Sequence, residues 1–325
     1  MKKILKKLKH AKKIALFSHL SADPDTIGST LALYYALKSL KKEVSCFCDD
    51  DTLEKFDFLD ATKIYNIDDI NSDFDLFVAI DIANADRLGK FEEIFSKNKN
   101  MRIDHHKSGD NFAELNFMKP HSACSVLIFE ILKKLKVKIT KEIATLLYFG
   151  ICGDTGGFRY NNTDALTFGV CEKLLNFGAD IRRVYNEFFD KKTTPVLKLT
   201  SYVLMNAQTN EDIGYAILKL SKDDYQKFGV DETEYVGNLP NLYLNCGYKI
   251  AFIVKEKSDG IRVSLRSKYN YDCSLIAEQF GGGGHRNASG INFENKSFDE
   301  VLTLVENAVA EFIKNFNNGE YANEN

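Results

Sequence analysis

Apolar runs broken by short polar segments dominate the first half of the chain. Ile14-Ala15-Leu16-Phe17-Ser18 reads as a buried strand, and residues 27–40 as a largely apolar helix. Residues 44–48, Leu76-Phe77-Val78-Ala79-Ile80 and Met101-Arg102-Ile103 read as further strands. The strongest of these runs do not alternate, as expected for a sheet covered on both faces. Helical spacing follows over residues 122–135, with Ser122 placed as the cap. It recurs over 141–151, where Ile143, Leu146, Leu147 and Ile151 share one face. Strands and helices in alternation predict a parallel α/β sheet.

The pattern changes near Asp190. Asp190-Lys191-Lys192-Thr193-Thr194-Pro195 is polar and places a linker over residues 191–210, between a domain at 1–190 and a smaller mixed α+β domain at 211–325. In the second domain residues 213–220, 248–255 and 260–266 read as strands and 297–316 as a helix. A polar tail at 317–325 is expected to be disordered. At the other end Ile4, Leu5, Leu8 and Ala11 mark one face of a short amphipathic helix. The apolar run after it is too short for a signal-peptide core, and no stretch approaches the roughly 18 apolar residues of a membrane span.

Composition narrows the function classes. The 43 basic and 46 acidic residues leave a net charge of -3, which excludes bulk coating of long nucleic acid but not a local basic groove. Seven cysteines with no C-x-x-C pair predict reduced thiols and a cytoplasmic protein without a membrane partner. Cys46-x-Cys48 is read as strand alternation rather than a metal pair.

Acidic and histidine clusters follow the clearest strands: His19 with Asp23 and Asp25, then Asp81, then Asp104-His105-His106. Asp154 follows the helix at 141–151. Ligands of open α/β sheets bind outside the carboxyl ends of the strands, so these segments would meet on one edge. Crowded carboxylates and imidazoles need cations to offset them. Aspartate mixed with histidine, without cysteine, suits a divalent metal such as manganese. The donors are too many for one ion. Two ions roughly 3.5–4 Å apart, sharing a carboxylate, are the usual arrangement for hydrolysis at phosphorus. Each cluster alone has a plainer reading, an aspartate after a strand being commonly a turn or cap.

At these residues the sequence resembles the DHH phosphoesterase family, for which Asp104-His105-His106 is the eponymous motif. The first family motif is similar to residues 19–25, the second to Asp81, the fourth to Asp154. Gly281-Gly282-Gly283-Gly284-His285 and Val263-Ser264-Leu265-Arg266 resemble motifs of the DHHA1 subdomain. The resemblance covers nearly the whole chain. It implies one metal held by His19, Asp23 and Asp81, and a second by Asp25, Asp81, His105 and Asp154, with Asp81 bridging. It implies that His106 contacts the scissile phosphate or protonates the leaving group and that Asp104 orients the histidines. One departure is Ala22 where the family often has proline, with Pro24 between the two aspartates.

In the second domain Arg262, Ser264 and Arg266 would share one strand face, and the backbone of Gly282, Gly283 and Gly284 could approach a phosphate closely, with His285 beside it. A flexible turn is the plain alternative for the glycine run. Arg159 would join from the first domain, across an active-site cleft between the two. The compact branch of the family similar to nanoRNase/pAp phosphatase acts on RNA of a few nucleotides, pApA or 3′-phosphoadenosine 5′-phosphate, and that is the expected substrate class. The alternatives are a soluble cyclic di-AMP phosphodiesterase and, from another class, a non-catalytic nucleotide- or RNA-binding module. A homodimer rests on analogy alone.

Overall fold

The structure, a computed structural model, describes residues 1–50, 53–61, 65–66, 70, 73–106, 109–232, 234, 238–268 and 270–318. The chain divides into two compact units, Met1–Lys191 and Lys192–Asn325.

The first unit holds strands β1 (Lys13–Phe17), β2 (Glu43–Phe47), β3 (Tyr65–Asn66), β4 (Leu76–Ile80), β5 (Asn100–Asp104) and β6 (Asn116–Met118). They form one sheet in the order β3-β2-β1-β4-β5-β6, and every pairing is parallel. All five residues of β4 are buried, because both faces of the sheet are covered. On one face Phe17, Phe47, Phe77, Phe91 and Phe95 pack together, with Phe17 stacked on Phe77 at 5.6 Å. On the other, Leu16, Val78, Ile80 and Ile103 meet the helices Pro24–Ser39, Cys124–Leu135 and Lys141–Asp154.

Three differences from the sequence reading concern named caps and candidate ligands. The helix expected at 27–40 starts earlier, because Asp23 caps it and Pro24 fills its first turn. Asp25 therefore sits on a helix, not in a loop. The helix expected at 141–151 runs on to Asp154. Ser122 is not a cap: Ala123 precedes the helix, and the buried Ser122 hydroxyl accepts instead from Thr167 Oγ1 at 2.7 Å.

The second unit carries β7 (Gln208–Asn210), β8 (Tyr215–Leu220), β9 (Ile250–Lys257), β10 (Gly260–Ser267), β11 (Gly283–His285) and β12 (Ala288–Phe293), in the order β11-β12-β10-β9-β8-β7. Only β8 and β9 pair in parallel. The helix Phe298–Asn317, capped by Ser297 and Glu300, lays Val301, Val305 and Val309 against Phe252, Val263 and Leu265. The opposite face of β8 and β9 is covered by the helix Thr194–Met205, through Val196, Leu199 and Val203. That helix lies inside the segment 191–210 read above as a linker. Of the tail expected to be disordered, residues 319–325 lie outside the described residues.

Candidate metal centre

The order of the first sheet reverses between β1 and β4: β2 and β3 extend to one side, β5 and β6 to the other. A crevice at the carboxyl ends of strands at such a reversal is where open α/β sheets bind ligands. His19 follows β1, Asp81 follows β4 directly, and Asp104 ends β5 with His105 and His106 behind it. Asp25 and Asp154 arrive from the sides, at the start of one helix and the end of another. These helices cross at Gly150, where an added Cβ would overlap Ser125 Oγ and stand 2.7 Å from Asp25 Oδ1. A residue without a side chain is what lets the two carboxylates meet.

Three overlapping donor sets result among the described residues, each residue offering one ligand atom within 4.8 Å of the others. One is Asp81, Asp104, His105 and His106; of the other two, His19, Asp23 and Asp81 make up one and Asp25, His105 and Asp154 the second. His105 Nε2 lies 3.1 Å from Asp154, 3.3 Å from Asp81 and 3.8 Å from Asp25, so Asp81 touches both of these last two. His105 Nδ1 stands 3.0 Å from the carbonyl of His121 and His19 Nδ1 2.8 Å from that of Leu20. A carbonyl only accepts, so His105 Nδ1 carries the hydrogen and its Nε2 lone pair is left for a cation; His19 Nδ1 lies between the Leu20 carbonyl and the donor Arg87 Nη2 at 3.0 Å. Asp25 is fully buried and takes hydrogen bonds from Ser29 Oγ and from the backbone amides of Cys124 and Ser125 at the start of a helix.

The electrostatics of the cluster are those of a site short of positive charge. Burial and the neighbouring Asp154 push Asp25 up to about 6. Burial and Asp25 hold Asp81 well above the usual carboxylate range. His105 is pulled down by burial, but hydrogen bonds to Asp154 and Asp81 outweigh this and raise it to about 12. Protons on these groups stand where cations would. Asp81 Oδ1 is buried and makes no well-formed hydrogen bond, its nearest donor being His105 Nε2 at 3.3 Å. A buried polar atom of that kind calls for a ligand. Nitrogen and carboxylate donors with no thiolate among them fit a divalent metal.

Asp104 and His106 stand apart from the last two sets in role. Asp104 is buried with the fully buried Arg102 on one oxygen, while its Oδ1 lies 2.7 Å from His106 Nδ1. Burial opposes ionisation here, but His106 and Arg102 outweigh it and hold Asp104 far below the usual range. An ionised carboxylate can only accept, so His106 donates from Nδ1, and its other nitrogen has no hydrogen-bond partner among the described residues. The His106 side chain is 41% exposed.

The remaining residues singled out in the sequence do not join this cluster. Arg159 is exposed, with Nε donating to Gly156 O at 2.7 Å. In the second unit Arg262, Ser264 and Arg266 share the outward face of β10, and Arg262 pairs with Asp259 at 2.6 Å. The second half of the glycine run is a strand rather than a loop: Gly283, Gly284 and His285 pair with β12. Gly284 has φ +144° and a Cβ there would meet Ala288 O at 2.6 Å; one on Gly282 would overlap Gly290 O. These two glycines serve the hairpin itself. Gly283 has nothing within 4 Å of such a Cβ, and His285 is exposed.

Three basic residues escaped the sequence reading. Arg102 lay inside an apolar strand, where its charge was the overlooked signal. Arg87 Nη2 comes within 3.0 Å of His19 Nδ1, from the short 3-10 helix Ala85–Phe91, which has no recognisable spacing. Lys255 lies beside Arg262 on the neighbouring strand, a relation that only the register shows.

Residues 13–151 match the model of the DHH family N-terminal domain, and residues 215–314 that of the DHHA1 domain. The chain is 30% identical over 316 residues to the bifunctional oligoribonuclease and PAP phosphatase NrnA of Mycoplasma genitalium, covering 95% of this chain and 96% of that protein. Among solved structures it is similar to an exopolyphosphatase-related protein of Bacteroides fragilis, with a TM-score of 0.87, 27% identity and 96% of each chain covered. It shares its fold with RecJ of Thermus thermophilus in complex with Mn2+, at a TM-score of 0.55 and 15% identity, over 96% of this chain and 54% of that one.

Proposed function

The chain belongs to the DHH family of phosphoester hydrolases, and on that premise we propose that it cleaves short oligoribonucleotides such as pApA, and 3′-phosphoadenosine 5′-phosphate, in the cytoplasm. The observation that carries the proposal is the meeting of two nitrogen-and-carboxylate donor sets around the buried carboxylate of Asp81. Similarity to the oligoribonuclease along both domains supports the substrate class.

His19, Asp23 and Asp81 would hold one divalent ion, and Asp25, Asp81, His105 and Asp154 a second; Mn2+ suits these donors and is present in the RecJ complex. When bound, such ions lower the pKa of an attacking water and offset charge at phosphorus. The protein's own groups do the rest. Asp104 fixes the His106 ring through Nδ1, so that the opposite nitrogen, when the ring carries a second proton, would pass that proton to the leaving group. Hydrogen bonds from Cys124, Ser125 and Ser29 hold the Asp25 carboxylate in place. In the second unit Arg262, Ser264, Arg266, the amides of Gly282, Gly283 and Gly284, and His285 are the proposed phosphate-binding groups, with Arg159 from the first.

The test is a time course with Mn2+ on pAp, pApA, a five-nucleotide RNA, a twenty-nucleotide RNA and cyclic di-AMP. Turnover of pApA and the five-mer, with the long and cyclic substrates spared, is the expected result. Fastest loss of cyclic di-AMP would make the protein a second-messenger phosphodiesterase. Binding without any metal-dependent turnover would make it a recognition module.

A further inference from the structure

The two aspartates that follow β2 each fix another segment of the first unit. Asp49 Oδ2 accepts from the amide of Lys90 at 2.9 Å, on the short 3-10 helix Ala85–Phe91. Gly89 makes that contact possible: its φ is +58°, and a Cβ there would overlap the Asp49 carboxylate. Asp50 Oδ2 accepts from the amide of Ala22 at 2.5 Å, in the loop that carries His19 and Asp23. The loop and the 3-10 helix are also joined directly, Leu20 N donating to Arg87 O at 2.8 Å. The backbone thus holds Arg87 in place beside the His19 loop.

Arg87 is half-buried, and although Asp23 and Asp81 belong to the same cluster as His19, no ion pair joins its guanidinium to a carboxylate among the described residues. Its side chain reaches His19 instead, with Nη2 at 3.0 Å from Nδ1. The same Nδ1 faces the carbonyl of Leu20 at 2.8 Å. One ring nitrogen cannot accept from the first and donate to the second together. A cation on Nε2 decides between them, because the hydrogen is then on Nδ1 and goes to Leu20. The guanidinium, which never loses its charge, is left facing an N–H and must turn to another acceptor. A partly desolvated charge without a counter-ion is costly, and proteins keep such conflicts at functional sites. The acceptor that a phosphoester hydrolase brings to this place is the phosphate itself, whose oxygens match the guanidinium fork.

We propose that Arg87 is a catalytic residue: it binds a non-bridging oxygen of the phosphoryl group being cleaved, and its charge offsets the negative charge that builds there in the transition state. The inference rests on the hydrolase reading above and deepens it, within the first unit alone. Donation to His19 is then the resting position of the side chain, given up when the centre is loaded.

The experiment uses Arg87→Gln, which keeps an N–H donor for His19 and removes the charge, and Arg87→Lys, which keeps the charge and loses the fork. With saturating Mn2+, kcat of Arg87→Gln falls at least about a hundredfold on pAp and pApA alike, as for loss of one transition-state donor. Arg87→Lys recovers part of the loss. Affinity for Mn2+, measured by calorimetry, is no weaker in either variant than in wild type. Weaker Mn2+ binding by Arg87→Gln, with kcat restored once the ion saturates, makes Arg87 a residue that only orients His19 and overturns the proposal. Near-normal kcat of Arg87→Gln overturns it too. A second measurement needs no turnover: with Mn2+ bound, inorganic phosphate raises the Tm of wild type but not of Arg87→Gln. Folding is controlled by the Tm without phosphate, which the substitution leaves unchanged because the backbone holds the 3-10 helix. If wild type cleaves neither substrate, the hydrolase reading fails and the phosphate shift still judges Arg87. Equal shifts in the two proteins overturn it.

Discussion

Asp104 Oδ1 lies 2.7 Å from His106 Nδ1, while the other oxygen of the same carboxylate is taken by Arg102 in the interior of the sheet. The imidazole is therefore aimed by a buried ion pair, not by a flexible loop. Removing one partner of such a pair strands the other charge. Arg102→Met should lose about 3 kcal/mol of stability at pH 7. Asp104 has a folded pKa far below its unfolded value of about 3.9, so its contribution is complete above that value and lost as pH falls through the folded one. Urea titrations should accordingly show the gap between wild type and variant narrowing below about pH 4. A gap independent of pH would mean that the pair contributes only packing.

Asp81 occupies the left-handed region, φ 61°, at the end of β4. Asparagine tolerates that conformation and removes a carboxylate from beside Asp25. Asp81→Asn should keep or raise the Tm of metal-free protein. Turnover should fall by at least about a hundredfold, the upper end of what loss of a ligand's supporting residue costs. A variant with near-normal activity when loaded with Mn2+ would refute a shared ligand at this position.

Metal uptake should release protons. His105, raised to about 12, holds its proton at neutral pH in the metal-free protein, and Asp81 is held well above the usual range. A cation must displace these protons, so affinity for Mn2+ should rise with pH. Calorimetry at pH 7 in buffers of differing ionisation enthalpy measures the release directly. Binding heats identical across buffers would contradict the charge deficit described for the cluster.

Gly283 separates two explanations of the glycine run. Its Cβ position is open and its backbone ordinary, so Gly283→Ala should leave the Tm unchanged. If substrate approaches the strand backbone there, KM for pApA should still rise, with kcat preserved. Gly284→Ala is different, since the backbone of the hairpin itself excludes the methyl group, and should lower the Tm. Equal KM for wild type and Gly283→Ala would leave the glycines with a structural role alone.

What the sequence conveyed follows from the reach of each signal. The run Leu76 to Ile80 announced a central strand because burial on both faces removes alternation. The Asp and His clusters were legible because they sit at strand ends, where the reversal of strand order gathers them. Asp25 was harder to place: it reads as part of an acidic loop until Asp23 is seen to cap a helix beginning at Pro24. Ser122 looked like a cap by type, but its hydroxyl is taken by Thr167, which lies beyond any local window. That Lys255 stands opposite Arg262 was invisible for a related reason: register is a property of two strands, not of one.

The donors around Asp81 come from segments as far apart as residue 19 and residue 154, and β1, at the centre of its sheet, borders a strand that follows it by some sixty positions. A nascent chain cannot assemble this cluster until nearly all of the first unit has left the ribosome. Long-range parallel pairing of this kind closes late and slowly. A cation bound there therefore has little to hold in the folding transition state and much to hold afterwards. Its effect falls on how long the finished domain lasts, not on how quickly it is reached.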